Sequence, residues 1–170
     1  KIVLFSKTDS SEIDLSTEDF AKYRKLIGSD KIVISNNEKI NLINYEISET
    51  NNKNSFRNFR DINNKNIFKE DMIESIRHNL FGSSWDDFLE ATSTKELSEN
   101  TRIITARGHS PATIHDAINE IKKLGIIKND IPIKNIFPLS CSEKFKDIIN
   151  LDISTRKKII MKEILQLILK

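Results

Sequence analysis

Apolar positions in the second half of the chain follow two spacings that predict alternating strands and helices. Residues 101–106 form a short apolar run after a polar stretch, which predicts a buried strand. From Ser110 and Pro111 onward, apolar residues recur every three or four positions until Gly125. Serine before proline is typical of a helix start and glycine of a helix end, so we predict an amphipathic helix here.

The same order of elements returns further along the chain. An apolar run over 133–139 predicts a second strand, and helical spacing over 157–169 predicts a second helix. The inner side of that helix is expected to carry Ile160, Ile164, Leu167 and Ile168. A strand, a helix and a second strand in this order are typical of a parallel βαβ unit. We therefore predict an α/β fold with a parallel sheet from residue 101 onward.

The first hundred residues mix short strands and helices without such a repeat. Apolar and β-branched runs predict strands over 1–6, 12–15, 31–35 and 39–47. Ser16 is followed by an acid at position 19, as in a helix cap, and predicts a helix that ends at Gly28. Helical spacing predicts two more helices, over 69–79 and 84–92. This region is predicted to be α+β.

Composition and charge narrow the function classes. The 27 basic and 25 acidic residues give a net charge of +2, which offers no general reason to expect a nucleic-acid partner. No apolar run approaches the length of a membrane span. The single cysteine, Cys141, excludes an intrachain disulfide. We expect a cytoplasmic protein with no membrane and no nucleic-acid partner.

One local pattern points to a different class. Phenylalanine and arginine side chains share the stretch 56–60, and aromatic rings beside arginines are able to stack on RNA bases. No wider basic patch surrounds this stretch, which favours packing onto a core instead. RNA binding through Phe56–Arg60 is the weaker interpretation, and it predicts a complex that salt dissociates.

The main candidate site follows the strand predicted at 101–106. Thr105 lies at the carboxyl end of that strand, where ligands bind in open α/β sheets because strand ends and helix N-termini converge there. Its hydroxyl is able to hydrogen-bond a phosphate or a carboxylate. Arg107 adds a positive charge and Gly108 a flexible turn beside it.

Two segments resemble motifs of the haloacid-dehalogenase (HAD)-type phosphohydrolases. Thr101–Gly108 resembles the apolar strand that ends in threonine or serine, and Ser154–Ile160 resembles the lysine-bearing helix start of the family. The resemblance implies that Thr105 binds the transferring phosphoryl group. It implies that Lys157 neutralises negative charge there, with Lys158 as the alternative lysine. The substrate contacts that it implies are Ala106, Arg107, Gly108 and His109.

The resemblance also has implications for the whole chain. Ser16–Phe20 and Phe56–Phe59 are similar to parts of an insert found in one subgroup of the family. A Rossmann-like (HAD-type) parallel-sheet core is thereby implied for residues 101–170, with an α+β insert or cap over residues 1–100. The family reaction is Mg²⁺-dependent hydrolysis through an aspartyl-phosphate. The implied substrate is a phosphorylated small molecule or a phosphoprotein.

The carboxylates of the family pattern have no counterpart in this sequence. The nucleophile belongs to an Asp-x-Asp motif, which occurs nowhere in the chain, and Asp14 fits a hairpin strand better. The adjacent acids Asp86 and Asp87 precede the Thr105 strand, the wrong order for the Mg²⁺ ligands. We therefore expect an internal portion of a longer phosphohydrolase, with the missing acids on either side. The alternative is a non-catalytic HAD-like α/β domain that acts as a binding or interaction module.

Overall fold

The computed structural model describes residues 2–35, 37–48, 58–61 and 66–169. The chain divides into two compact units, residues 1–59 and residues 60–170. The helices just before residue 100 belong to the same unit as the strands that follow it. The two compact units meet at residues 59 and 60, earlier in the chain than the border between insert and core predicted at residue 100. The border at residue 100 came from the resemblance to the HAD-type enzymes and stays a prediction.

The first unit is built on antiparallel strands. Its elements are β1 (Ile2–Ser6), β2 (Glu12–Leu15), α1 (Thr17–Tyr23), β3 (Ile32–Ser35), β4 (Glu38–Asn41) and β5 (Tyr45–Glu46). β1 lies between β2 and β5, and β3 pairs with β4 in a separate hairpin. Alternate residues of β1, Ile2 and Leu4, are buried together with Leu15. The Ser16 hydroxyl accepts the Asp19 N–H at 2.9 Å, which confirms the predicted helix cap.

The second unit contains mixed α/β structure. Its elements are α2 (Asn66–Arg77), α3 (Trp85–Ala91), α4 (Lys95–Asn100), β6 (Ile103–Thr105), α5 (Pro111–Lys123), β7 (Ile136–Pro138) and α6 (Ile153–Ile168). β6 and β7 are parallel, with Thr105 opposite Pro138, and among the described residues their sheet has these two strands. The predicted order of strand, helix and parallel strand is confirmed.

Helix α5 holds the strands in place through its apolar face. Ile118 and Ile121 are buried on that face, and they pack with Ile131 and Ile136 in and before β7. Helix α2 packs on α5 as well. The helix ends where Gly125 adopts a left-handed conformation with φ of +75°, as the glycine predicted. The local sequence signals therefore predicted the end of α5 correctly.

Four details differ from the prediction. Residues 95–100, a polar stretch in sequence, form α4, because Thr94 caps it by accepting the Leu97 N–H. Helix α6 begins at Ile153, earlier than expected, because the Asp152 carboxylate accepts the Thr155 N–H at 3.0 Å. Leu167 was expected to face inward and is 74% exposed. β6 is half-buried, whereas the prediction was a buried strand. None of the described helices combines the length and the apolar composition needed to cross a bilayer.

An ion pair anchors the loop between α5 and β7. Lys122 Nζ lies 2.5 Å from Asp130 Oδ1, and His115 Nε2 lies 3.4 Å from Asp130 Oδ2. The hydrogen bond from Lys122 holds the pKa of Asp130 below its ordinary value of 3.8, against the opposing effect of partial burial. The loop that leads to β7 therefore depends on an ionised carboxylate.

Acid is expected to weaken this anchor. Because the pKa of Asp130 is lower in the folded than in the unfolded state, its stabilisation is complete above pH 3.8 and is lost as pH falls through the folded-state pKa. Asp130→Asn should lower the free energy of unfolding at neutral pH, and the difference from wild type should shrink in acid. Urea unfolding across pH measures this, with Asp116→Asn on α5 as control. A difference that persists unchanged to about pH 2 contradicts the prediction.

Candidate functional site

The ends of β6 and β7 stay joined beyond the sheet. The Leu139 N–H donates to the Thr105 carbonyl at 2.7 Å, and the Ser140 N–H donates to the Arg107 carbonyl at 3.1 Å. The turn after β6 and the segment after β7 therefore lie side by side. Their location is the carboxyl edge of the parallel pair, the edge at which the sequence predicted a site.

Thr105 presents a hydroxyl at this edge. Thr105 is half-buried, and its Oγ1 accepts the Arg107 N–H at 3.3 Å. A hydroxyl both accepts and donates, so this bond leaves the hydroxyl hydrogen available. No group in the described part of the chain is recorded as accepting that hydrogen. Thr105 is thus arranged to donate a hydrogen bond to an anion.

Arg107 is partly buried against helix α2. Its guanidinium lies 5.1 Å from the centroid of the Phe68 ring. Burial lowers the pKa of Arg107 from its ordinary value, and the negative charge of Asp71 opposes that shift. Arginine stays cationic in proteins, so the turn carries a positive charge that is partly shielded from water.

Two of the predicted substrate contacts, Ala106 and His109, lie in opposite environments. Ala106 is exposed at the turn, whereas His109 is 2% exposed. The His109 ring lies 4.5 Å from the Phe68 ring of α2. His109 therefore supports the turn by packing, and Ala106 is the one that faces solvent.

Gly108 allows another chain segment to approach the turn. Arg60 forms a parallel β-bridge with Gly108. A Cβ atom at position 108 would lie 3.0 Å from the Arg60 Cβ and 3.2 Å from the Ser140 carbonyl oxygen. The absence of a side chain at Gly108 is what lets these three backbone segments meet.

Gly108→Ala is expected to destabilise the protein by about 1–3 kcal/mol, because the added methyl group overpacks this junction. Neither close atom belongs to the end of a flexible side chain, so relief requires a backbone shift. Gly82→Ala is the matched control, since nothing lies within 4 Å of a Cβ there. Urea unfolding compares the two variants. Equal stability of both would show that the junction at Gly108 tolerates a side chain.

Asp61 is a site residue that the sequence analysis missed. Its Oδ2 accepts the Ser110 N–H and the Thr113 hydroxyl, each at 2.9 Å. Its Oδ1 is buried and has no hydrogen-bond partner among the described residues. A carboxylate at the start of α5 is stabilised by the N-terminal N–H groups and the helix dipole. No local signal could identify Asp61, because it precedes Ser110 by 49 residues.

A cavity of about 200 Å³ opens beside the turn. Most of its lining is polar, with one guanidinium, two carboxylates and several hydroxyls. The lining includes Arg60, Asp61, Ser110, Ser140, Ser142 and Glu143. This mixture of donors and acceptors suits a small polar ligand better than an apolar one.

Lys157 and Lys158 are both exposed on α6. Within the described ranges, no hydrogen bond or ion pair joins either lysine to the Thr105 turn. The preceding residue, Arg156, donates from Nη1 to the Leu139 carbonyl at 2.7 Å. The first turn of α6 therefore lies beside the end of β7, and the choice between the two lysines stays open.

The described residues do not supply a magnesium site. They contain no cluster of three or more histidine, cysteine, aspartate or glutamate side chains. Asp61 already caps α5, and Asp14 pairs with Val3 in the hairpin, as expected. Asp86 and Asp87 are exposed in the first turn of α3, where acids favour helix formation.

The structure describes only part of the stretch 56–60 on which the RNA interpretation rests. Phe56 and Arg57 lie outside the described residues. Of the rest, Phe59 is half-buried and the Arg60 backbone pairs with Gly108. Arg60 therefore belongs to the cavity beside the Thr105 turn.

Comparisons with known proteins add no family to this picture. No family model matches the chain, and no curated protein or solved structure matches it. The features that bear on function are therefore the Thr105 turn itself and the short motifs that resemble those of the HAD-type enzymes.

Proposed function

We propose that this chain carries the phosphoryl-binding half of a Mg²⁺-dependent HAD-type phosphohydrolase with a Rossmann-like core. One observation carries the proposal. The Thr105 hydroxyl sits at the carboxyl edge of a parallel strand pair and accepts the Arg107 N–H, so it keeps its own hydrogen for a phosphoryl oxygen. The cationic Arg107 and the adjacent polar cavity support an anionic substrate.

The proposed chemistry assigns each residue a simple task. Phosphoryl transfer needs positioning and charge neutralisation more than covalent help from side chains. Thr105 orients a phosphoryl oxygen by hydrogen bonding, and Lys157 or Lys158 offsets the negative charge that develops in transfer. Mg²⁺, when bound, would stabilise that charge as well. Because the sequence has no Asp-x-Asp motif, the proposal assigns the nucleophilic aspartate and the Mg²⁺ ligands to other residues of the protein.

The proposed substrate is a phosphorylated small molecule or a phosphoprotein. A cavity of about 200 Å³ accommodates a small polar group beside the Thr105 turn. Its guanidinium, carboxylate and hydroxyl groups suit a leaving group that carries hydroxyls or amides.

Hydrolysis of para-nitrophenyl phosphate by the full-length protein tests the proposal. We expect turnover that requires Mg²⁺ and stops with a chelator. Turnover that a chelator leaves unchanged would contradict the metal dependence. Absence of turnover would overturn the enzyme proposal and favour the non-catalytic binding module.

A binding experiment on this chain tests the phosphate site separately. We expect the backbone amides of Thr105, Arg107 and Gly108 to shift in ¹⁵N-resolved NMR spectra when inorganic phosphate is added. Sodium chloride at the same ionic strength is the control. Shifts confined to other surfaces would overturn the assignment of this turn.

A further inference from the structure

An apolar patch protrudes between α2 and α3. We define the aromatic pad as Leu80, Phe81 and Trp85. Leu80 is 69% exposed and Phe81 is 43% exposed. The Phe81 ring is stacked on Trp85, with centroids 4.6 Å apart and planes at 11°. Trp85 in turn contacts Phe88, which packs against the core of the second unit. The pad is therefore an ordered surface attached to the core.

The backbone places Leu80 outward. Asn79 adopts a left-handed conformation with φ of +53° at the end of α2. The Leu80 N–H donates to the Ser75 carbonyl and the Asn79 N–H donates to the Ile76 carbonyl, which together form a Schellman motif. In that motif, the residue in the place of Leu80 commonly packs on the last turn of its own helix. Here it is left to solvent, although the motif is complete.

Acidic residues follow the pad along α3. Residues 79–94 contain three acids, Asp86, Asp87 and Glu90, and no lysine or arginine. All three acids are exposed. Among the described residues none of the three has an ion-pair partner, in contrast to Glu74, which pairs with Arg77 and His78. The patch thus combines an exposed aromatic face with uncompensated carboxylates.

We propose that the aromatic pad and its three carboxylates form a docking surface for an arginine-bearing segment of a partner protein. A guanidinium is planar, stacks on aromatic faces and binds carboxylates through paired hydrogen bonds. Leu80 offers an apolar contact for the neighbouring side chain of the same segment. This proposal is independent of the phosphohydrolase proposal, since it uses none of the residues of the Thr105 turn.

Charge argues against the other occupants of such a surface. A second copy of the chain docked pad to pad would bring its own three acids against these three, and like charges across an interface are costly. An anionic lipid surface would be repelled in the same way. A basic segment is the occupant whose charge complements the patch.

Trp85 is the only tryptophan, so its fluorescence reports on the pad directly. The test is a titration of the full chain with the blocked peptide Ac-Leu-Arg-Ala-Arg-Leu-NH₂. We expect a saturable fluorescence change that weakens with added salt. The matched lysine peptide should bind more weakly, and the matched glutamate peptide should give no change. An equal response to the glutamate peptide would overturn the proposal.

Variants separate the two parts of the surface. Phe81→Ser is expected to weaken arginine-peptide binding about threefold, by loss of the stacking face. Asp86→Asn combined with Asp87→Asn is expected to weaken it about tenfold. Leu124→Ser and Asp147→Asn, exposed residues elsewhere, are the controls and should bind as wild type does.

Three further outcomes would overturn the arginine-segment proposal. The first is unchanged affinity both in Phe81→Ser and in the variant that combines Asp86→Asn with Asp87→Asn. The second is a fluorescence shift caused only by phosphatidylcholine vesicles, which would indicate a membrane surface. The third is a shift that depends on protein concentration without peptide, which would indicate a second copy of the chain.

Discussion

Replacing Thr105 by valine is expected to lower the rate of phosphate-ester hydrolysis about 10²- to 10³-fold, the usual cost of removing one preorganised donor from a transition state. Valine has nearly the shape of threonine but has no hydroxyl to donate to a phosphoryl oxygen. The measurement is kcat and KM for para-nitrophenyl phosphate in the full-length protein.

Thr105→Ser is the matched control because it keeps the hydroxyl. Threonine accepts the Arg107 N–H, and serine is able to do the same, so the turn is preserved. We expect Thr105→Ser to retain most of the activity. If the valine and serine variants hydrolysed the ester at equal rates, the Thr105 hydroxyl would have no role in phosphoryl binding. This conclusion would hold even if both variants were active.

Ile121→Ala is expected to lower the free energy of unfolding by about 2–5 kcal/mol, the range for truncating a fully buried aliphatic side chain. Ile121 has 0% exposure and lies among the buried isoleucines that join α5 to β7. Truncation removes apolar burial and leaves a cavity that the neighbouring residues fill only partly. Urea unfolding followed by Trp85 fluorescence measures the loss in the second unit.

Leu124→Ala provides the comparison at the end of the same helix. Leu124 is 53% exposed, so its truncation is expected to change stability by less than about 0.5 kcal/mol. A similar loss from both variants would mean that the apolar face of α5 is not the main support of the strands. Ile121→Val, which removes one methylene group, should lie between the two.

Local sequence signals predicted α5 because everything that defines it is nearby. Ser110 caps it, Pro111 suits its first turn and Gly125 ends it. The parallel strands on either side followed from the same pattern. The polar helix α4 was missed because residues 95–100 carry no apolar stripe, although the Thr94 cap is local. A distant residue supports it as well. The Asn135 side chain donates to the Glu99 carbonyl at 2.8 Å, a contact that no window around residue 95 contains.

The residues of the candidate site also fall into two groups, those that local sequence signals predict and those that depend on distant contacts. Thr105 and Gly108 could be predicted because a hydroxyl and a glycine directly follow an apolar run. Arg60 and Asp61 could not, since their roles depend on a segment that reaches the turn from far earlier in the chain. The packing of His109 against Phe68 likewise requires α2 to be in place. Long-range contacts, which a single sequence does not display, supply the second half of this site.

The Asp61 cap has a consequence for the order of folding. Ser110 caps α5 locally, whereas the contact of Asp61 with the first turn forms only after a chain segment 49 residues away has closed onto it. Closing a loop of that length costs entropy before any contact repays it. The helix body needs only local contacts and is free to form first. Mutations at Asp61 should then speed unfolding while leaving the folding rate nearly unchanged. The carboxyl edge of the β6–β7 pair would be the last part of the second unit to assemble. A ligand bound there would therefore stabilise only the fully folded state.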